Sequence, residues 1–124
     1  MKLYVDTNVY LDFFLERSKS RYAERLFRQT LQCKHQIILS DHIISELIRN
    51  IAIENINALF ETLKHKLIKI KAEDRDYAYA KTLNTHYADA LHITLAKKAE
   101  ADAIITNNNK DFELIFKTYS PEDI

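Results

Sequence analysis

The chain has no glycine, and that absence removes two large classes of chemistry. Phosphate-cradling loops of the P-loop and dinucleotide-binding kinds need glycine for tight turns and close backbone approach. Tight turns fall instead to Asn, Asp and Ser, with asparagine the best substitute where φ is positive; the run Asn107 to Asn109 is the expected place for it. The single cysteine, Cys33, excludes an internal disulfide framework and a cysteine-based zinc site, and reads as a small buried hydrophobe. The histidines, at positions 35, 42, 65, 86 and 92, form no HExxH pair and no His-rich cluster, which argues against soft-metal chemistry. Eighteen acidic and eighteen basic residues cancel, so no global field draws in nucleic acid and any such binding needs a local patch. No apolar run approaches a membrane span, and Asp6 interrupts the start before a secretory core can form. The expected setting is the cytoplasm, away from membranes.

What is present fits one soluble α/β domain over residues 1–124. Short apolar runs at Leu3 to Val5, Gln36 to Leu39, Leu67 to Ile70 and Ala103 to Ile105 read as strands, with a last edge strand from Lys117 that Pro121 ends. Between them lie stretches of helical period. A helix to about Glu16 follows a cap at Thr7 or Asn8; a second buries Ala23, Leu26, Phe27, Thr30 and Leu31. A third, from Ser40-Asp41, carries Ile44, Leu47, Ile48 and Ile51 inward, with Glu46 on its flank. Helices over Asn55 to Lys66 and Glu73 to Leu83 follow, the latter with Tyr77, Ala80 and Leu83 in register. In the helix from Tyr87, Ala88, Leu91, Leu95 and Ala99 make the buried stripe, and Asp89 and His92 lie beside it. Strand and helix alternating with short connections imply a three-layer α/β/α fold around a mainly parallel sheet of four to five strands.

In such sheets ligands bind beyond the carboxyl ends of the strands. Asp6 ends the first strand, Glu46 lies one turn into the helix after the second, Asp89 starts the helix before the fourth, and Asp111 follows the fourth. Each alone reads as a cap or a solvated flank; together they suggest a converging cluster. Clustered carboxylates repel unless a cation neutralises them, and oxygen-only ligands select a hard ion, Mg²⁺ or Mn²⁺. Such a site can bind a phosphodiester oxygen and activate water without a protein nucleophile. Arg49, one turn after Glu46, and Lys110, beside Asp111, are the candidate phosphate contacts.

Three segments, VDTNVYLDFF at 5–14, SELIRN at 45–50 and HYADALHITLAKKAEADAIITNNNKDF at 86–112, resemble the motifs of the PIN domain, and most of all the small VapC-like toxin ribonucleases. By that resemblance Asp6, Glu46 and Asp89 match three metal-coordinating carboxylates, and Thr106 matches a supporting hydroxyl. Asn108 stands where many members carry an aspartate, and Asp111 matches the acidic residue before the phenylalanine; an amide is the weaker ligand for a hard cation, so a second metal there would bind weakly. The resemblance implies an RNA substrate and an antitoxin partner.

Two other functions are carried alongside. One is an interaction module on the same scaffold with weak catalysis or none. The other is a phosphatase of the haloacid-dehalogenase kind, which needs a second aspartate where this chain has Asn8. Phe13, Phe14, Tyr22 and Phe27 could form an apolar patch for an antitoxin segment or a homodimer.

Overall fold

The computed structural model describes residues 1–112 and 115–124, the side chains of residues 110 and 111 excepted. Among the described residues, five strands form one sheet: β1 (Lys2–Val5), β2 (Gln36–Ser40), β3 (Leu67–Ile70), β4 (Ala103–Ile105) and β5 (Thr118–Tyr119). All neighbours are parallel, in the order β3-β2-β1-β4-β5. The central strands are covered on both faces, which is why Leu3-Tyr4-Val5, Ile37-Ile38-Leu39 and Ala103-Ile104-Ile105 are continuous apolar runs. In register, Tyr4 sits between Ile38 and Ile104.

The helices are α1 (Thr7–Phe14), α2 (Ser20–Leu31), α3 (Asp41–Leu47), α4 (Ile53–Leu63), α5 (Asp74–Ala80), α6 (Tyr87–Lys98) and α7 (Asn109–Phe112). They pack in two groups, with α2 joining α1 to α4 in one and α6 joining α5 to α7 in the other. In α2 the buried residues Ala23, Leu26, Phe27 and Thr30 follow one helical stripe, but Leu31 is 48% exposed at the helix end. Helix α6 departs further from a one-stripe helix. Every residue from Ala90 to Ala96 is buried, because α5, α7 and the sheet cover it from several sides, while Ala88 and Ala99 at its ends are half-buried.

Several expectations are corrected. Helix α3 ends at Leu47, so its inward residues are Ile43 and Leu47; Ile44 is half-buried and Ile48, past the last helical residue, is 52% exposed. Tyr77 is 37% exposed. The N-cap of α1 is Asp6, not Thr7 or Asn8, which lets the Thr7 side chain turn elsewhere. Cys33 is exposed, not buried.

The missing glycines are felt at helix ends rather than at the asparagine run. Among the described residues the positive φ values belong to Glu16 (51°), Cys33 (67°) and Glu100 (55°). Each is the residue after a helix C-cap. At each, two backbone bonds close the end in the same way: Arg17 N to Asp12 O and Glu16 N to Phe13 O, Lys34 N to Gln29 O and Cys33 N to Thr30 O, Ala101 N to Ala96 O and Glu100 N to Lys97 O. This is the Schellman closure, in which glycine is preferred because a Cβ in the left-handed region costs about 1–2 kcal/mol. The asparagines act through their side chains, Asn107 donating to Asp12 and Asn109 to Ser120.

Candidate active site

From β1 the chain winds outward through β2 to β3, then crosses back to β4 and β5 on the other side. The order therefore reverses between β1 and β4, and at such a switch point the loops beyond the strands diverge and leave a crevice. Asp6, directly after β1, and Thr106, directly after β4, flank that crevice. Backbone Asp6 N–H donates to Ile105 O at 2.9 Å, and Thr106 Oγ1 donates to Asp6 Oδ2 at 2.9 Å. Asp6 is only 6% exposed and Thr106 is fully buried. The Asn108 N–H in turn donates to Thr106 Oγ1 at 3.0 Å, so the hydroxyl links the loop after β4 to the carboxylate after β1.

Helix α3 supplies the next group. Ser40, the last residue of β2, caps it by accepting from Ile43 N, and one turn of helix then carries Glu46 over the crevice. Glu46 Oε1 accepts from Thr7 Oγ1 at 2.6 Å and lies 3.0 Å from His92 Nε2 and 3.5 Å from His42 Nε2. His92, on α6, is 2% exposed; its Nε2 is also 3.7 Å from Asp6 Oδ1, and its Nδ1 is 2.9 Å from the Tyr4 hydroxyl.

Titration behaviour follows from this packing. Burial raises the Asp6 pKa, and the nearby His92 and the Thr106 hydroxyl only partly offset it. Burial also opposes ionisation of Glu46, but the hydrogen bonds from His92 and Thr7 and the charge of His92 outweigh it and hold the carboxyl at about 2. For His92, burial opposes the charged form, yet the bond to Glu46 and the negative charges of Asp6, Glu46 and Asp89 raise its pKa. His42 is pushed down, by burial first and then by His92.

Asp6, Asn8, Glu46, Arg49, Asp89, His92 and Asn108 line one cavity of about 280 Å³, together with Thr7 and Asn50. Asp89 comes from the first turn of α6, where the helix dipole favours a carboxylate. Thr106 stands behind Asp6 rather than in the cavity wall. The side chains of Asp111 and Lys110 lie outside the described residues. Two imidazoles that form no metal motif in the sequence are brought together: the His42 and His92 rings are 5.0 Å apart, and with Glu46 they offer one donor atom each within 4.8 Å of the others. The available signal was spacing, since His42 precedes Glu46 by four residues and His92 follows Asp89 by three, one helical turn in each case. The donor set suits a divalent cation. Carboxylates of Asp6, Glu46 and Asp89 face one small cavity, and the buried His42 Nε2 makes no hydrogen bond.

The sequence model of the PIN domain matches residues 2–110. The chain belongs to the PIN domain family. Its fold is shared by several solved chains. That of VapBC2 from Rickettsia felis, bound to a DNA fragment from its promoter, is 19% identical with a TM-score of 0.66, covering 97% of this chain and 98% of that one. VapBC-1 from nontypeable Haemophilus influenzae gives 20% identity and a TM-score of 0.66, covering 98% and 99%. FitAcB from Neisseria gonorrhoeae gives 15% and 0.62, also covering 98% and 99%. No curated protein matches this PIN chain in sequence.

A second concavity, of about 870 Å³, lies between α1, α2 and α4 and is lined by Phe13, Phe14, Phe27, Leu31, Leu59 and Leu63 among others. Tyr22 is not among its residues; its ring carries Arg21 and Arg25 instead. No helix of the described residues is long and apolar enough to cross a membrane.

Proposed function

We propose that this protein is a metal-dependent endoribonuclease, the toxin of a toxin–antitoxin pair acting in the cytoplasm. The observation that carries the proposal is the meeting of three carboxylates from three separate elements, Asp6, Glu46 and Asp89, at the switch point of the sheet. In a structural ion-pair network carboxylates alternate with cations; here the described residues bring three of them to one cavity shared with the imidazole of His92 and the guanidinium of Arg49.

In this account Asp6, Glu46 and Asp89 hold Mg²⁺ or Mn²⁺, with Asp111 as the fourth acidic group and the amide of Asn108 as a neutral neighbour. A divalent cation held there supplies a positive centre for a phosphodiester and lowers the pKa of a bound water. The protein's own work is positioning. Thr106 fixes the Asp6 carboxylate, Thr7 fixes Glu46, and Arg49, on the cavity wall, together with Lys110 neutralises the substrate backbone. Asn8, also on the wall, is an exposed polar contact. Family membership sets the phosphatase aside.

The toxin role draws on the neighbours, which were solved as VapBC, FitAB and other toxin–antitoxin complexes. The apolar groove of α1, α2 and α4 gives an antitoxin segment a place to bury its own apolar face. Co-expression with any small open reading frame found beside its gene, followed by mass measurement of the purified protein, tests this; a stable homodimer that captures no partner counts against it.

The test of the enzyme is cleavage of an end-labelled mixed RNA with Mn²⁺ or Mg²⁺, against EDTA and an Asp89→Asn variant that folds normally. Metal-dependent cleavage lost in the variant is expected. Metal binding absent and RNA intact under all conditions would leave an interaction module on the PIN scaffold.

A further inference from the structure

His92 on the cavity wall and His42, its ring 5.0 Å away, offer two nitrogen donors that a hard cation does not need. His42 stands on the turn of α3 before Glu46, and His92 on the turn of α6 after Asp89, so two helices each bring an imidazole beside a carboxylate. His92 Nε2 and Glu46 Oε1 are 3.0 Å apart, and His42 Nε2 and the same oxygen 3.5 Å. Ligands held ~2.0–2.1 Å from a tetrahedral zinc stand ~3.3 Å from one another, so these two spacings bracket the edge of such a site.

The surroundings of His92 add an independent observation. Its Nδ1 bonds to the Tyr4 hydroxyl at 2.9 Å, and that hydroxyl bonds to Ser40 Oγ at 3.0 Å. Ser40 Oγ already accepts from Ile43 N, so the hydroxyl chain can run from Nδ1–H through Tyr4 to Ser40. That direction keeps a proton on Nδ1, so the proton that Nε2 shares with Glu46 at 3.0 Å is the one an arriving ion replaces, leaving the Nε2 lone pair for the ion. Metal-ligating histidines are oriented in the same manner, by donating their other ring N–H to a buried acceptor. His42 supplies the complementary sign: its Nε2 is buried, close to Glu46, and without a hydrogen bond.

We propose that His42, Glu46 and His92 form a mixed nitrogen and oxygen ligand set that takes a borderline first-row ion of the Zn²⁺ class in preference to Mg²⁺. The inference rests on the reading of this cleft as a cation site and is independent of whether RNA is cut. Imidazole nitrogen suits zinc and its neighbours, whereas Mg²⁺ favours oxygen ligands and keeps its waters. Tyr4 is then a positioning residue, acting on the ion only through His92.

The experiment is calorimetric titration of the metal-stripped protein with Zn²⁺ and, separately, with Mg²⁺, with Co²⁺ absorption spectra to report nitrogen ligation. Zn²⁺ should bind one site per chain and far more tightly than Mg²⁺. His42→Ala, at a half-buried position where folding is not at stake, should weaken Zn²⁺ by about 10–100-fold or more and alter the Co²⁺ spectrum, leaving Mg²⁺ affinity within about twofold. Tyr4→Phe should weaken Zn²⁺ by about tenfold through loss of the acceptor behind His92. A His35→Ala/His65→Ala double variant, which removes two histidines remote from the cleft, should bind Zn²⁺ as the wild type does. Equal affinity for the two ions, or Zn²⁺ binding that survives His42→Ala unchanged, overturns the proposal. RNA cleavage with Mg²⁺ and no Zn²⁺ site also overturns it while sparing the nuclease; a Zn²⁺ site lost in His42→Ala, in a protein that cuts no RNA, supports it and removes the nuclease.

Discussion

Helix α6 carries a charged cluster at each end, about 14 Å apart along its axis. At the C-terminal end Lys98 Nζ donates to Lys71 O at 2.7 Å, Glu73 Oε1 at 2.8 Å and Asp76 Oδ2 at 2.7 Å. Asp76 also accepts from Glu73 N, completing the capping box of α5. Each group there answers another, and the cluster ties α5 to α6. At the N-terminal end Asp89 joins Asp6 and Glu46 around one cavity, with the buried imidazole of His92 and the guanidinium of Arg49 on the same wall. The comparison separates two arrangements of charge around one helix: a closed set in which each group answers another, and three carboxylates gathered on one cavity, where a cation is proposed to sit.

The largest expected effect breaks the open set. Glu46→Gln keeps the shape but removes a charge at the cavity, and RNA cleavage should fall by at least about 100-fold in a gel assay, as for loss of one electrostatic contact to a transition state. A drop of less than tenfold in a folded variant would place the chemistry elsewhere.

Breaking the closed set should instead show in stability. Asp76→Asn removes the buried charge that accepts from Lys98 and from the Glu73 N–H, and should cost about 2 kcal/mol in denaturant unfolding. An unchanged midpoint would mean that Lys98 redistributes its bonds to Glu73 and Lys71 without loss.

The two ends also differ in how they answer pH. Lys98 is raised by its bonds to Asp76 and Glu73, and Asp76 is lowered because the Lys98 bond and the capping bond outweigh its burial. Both therefore stay charged across the neutral range, and this end is indifferent to pH there. His92 is raised above the ordinary histidine value of 6.5. Its contribution is therefore complete below that value and is lost as pH rises through the higher folded pKa. Glu46, lowered from 4.5 to about 2, contributes above 4.5 and loses this as pH falls toward 2. His42 and His35 are lowered and work in the opposite direction to His92. Melting curves of the EDTA-treated protein from pH 6 to pH 9 should thus show wild type losing stability relative to His92→Gln, by roughly 1.4 kcal/mol for each tenfold by which folding strengthens the hold of His92 on its proton. Parallel curves would mean that folding leaves the hold of His92 on its proton unchanged.

How much of this could be read from residues depends on the range of the interaction. The central strands declare themselves in runs such as Ile37-Ile38-Leu39, because burial on both faces demands them. The gathering of Asp6, Glu46 and Asp89 on one cavity follows a pattern legible in the sequence: parallel strands all end at one edge, Asp6 follows β1, Glu46 lies in the helix after β2, and Asp89 opens the helix that returns to the start of β4. That of His42 and His92 was not legible, since helical spacing ties each to its own helix and says nothing of α3 packing beside α6. Ile48 was misjudged because α3 stops one residue earlier, at Leu47. The left-handed residues were misplaced because turn chemistry pointed to asparagine, whereas the helix ends fell at Glu16, Cys33 and Glu100. The smallest prediction tests that last point at the closed end of α6: Glu100→Gly should raise stability by up to about 1 kcal/mol by removing a Cβ from the left-handed region, and a decrease would show that the Glu100 side chain has a role of its own.

The most direct measurement sets one variant from the charged cluster at each end of α6 side by side in the same RNA cleavage assay with Mn²⁺. The account predicts that Asp89→Asn folds and does not cut, whereas Asp76→Asn, though less stable, cuts at the wild-type rate below its melting range. Cleavage retained in Asp89→Asn, or lost equally in the two folded variants, would contradict it.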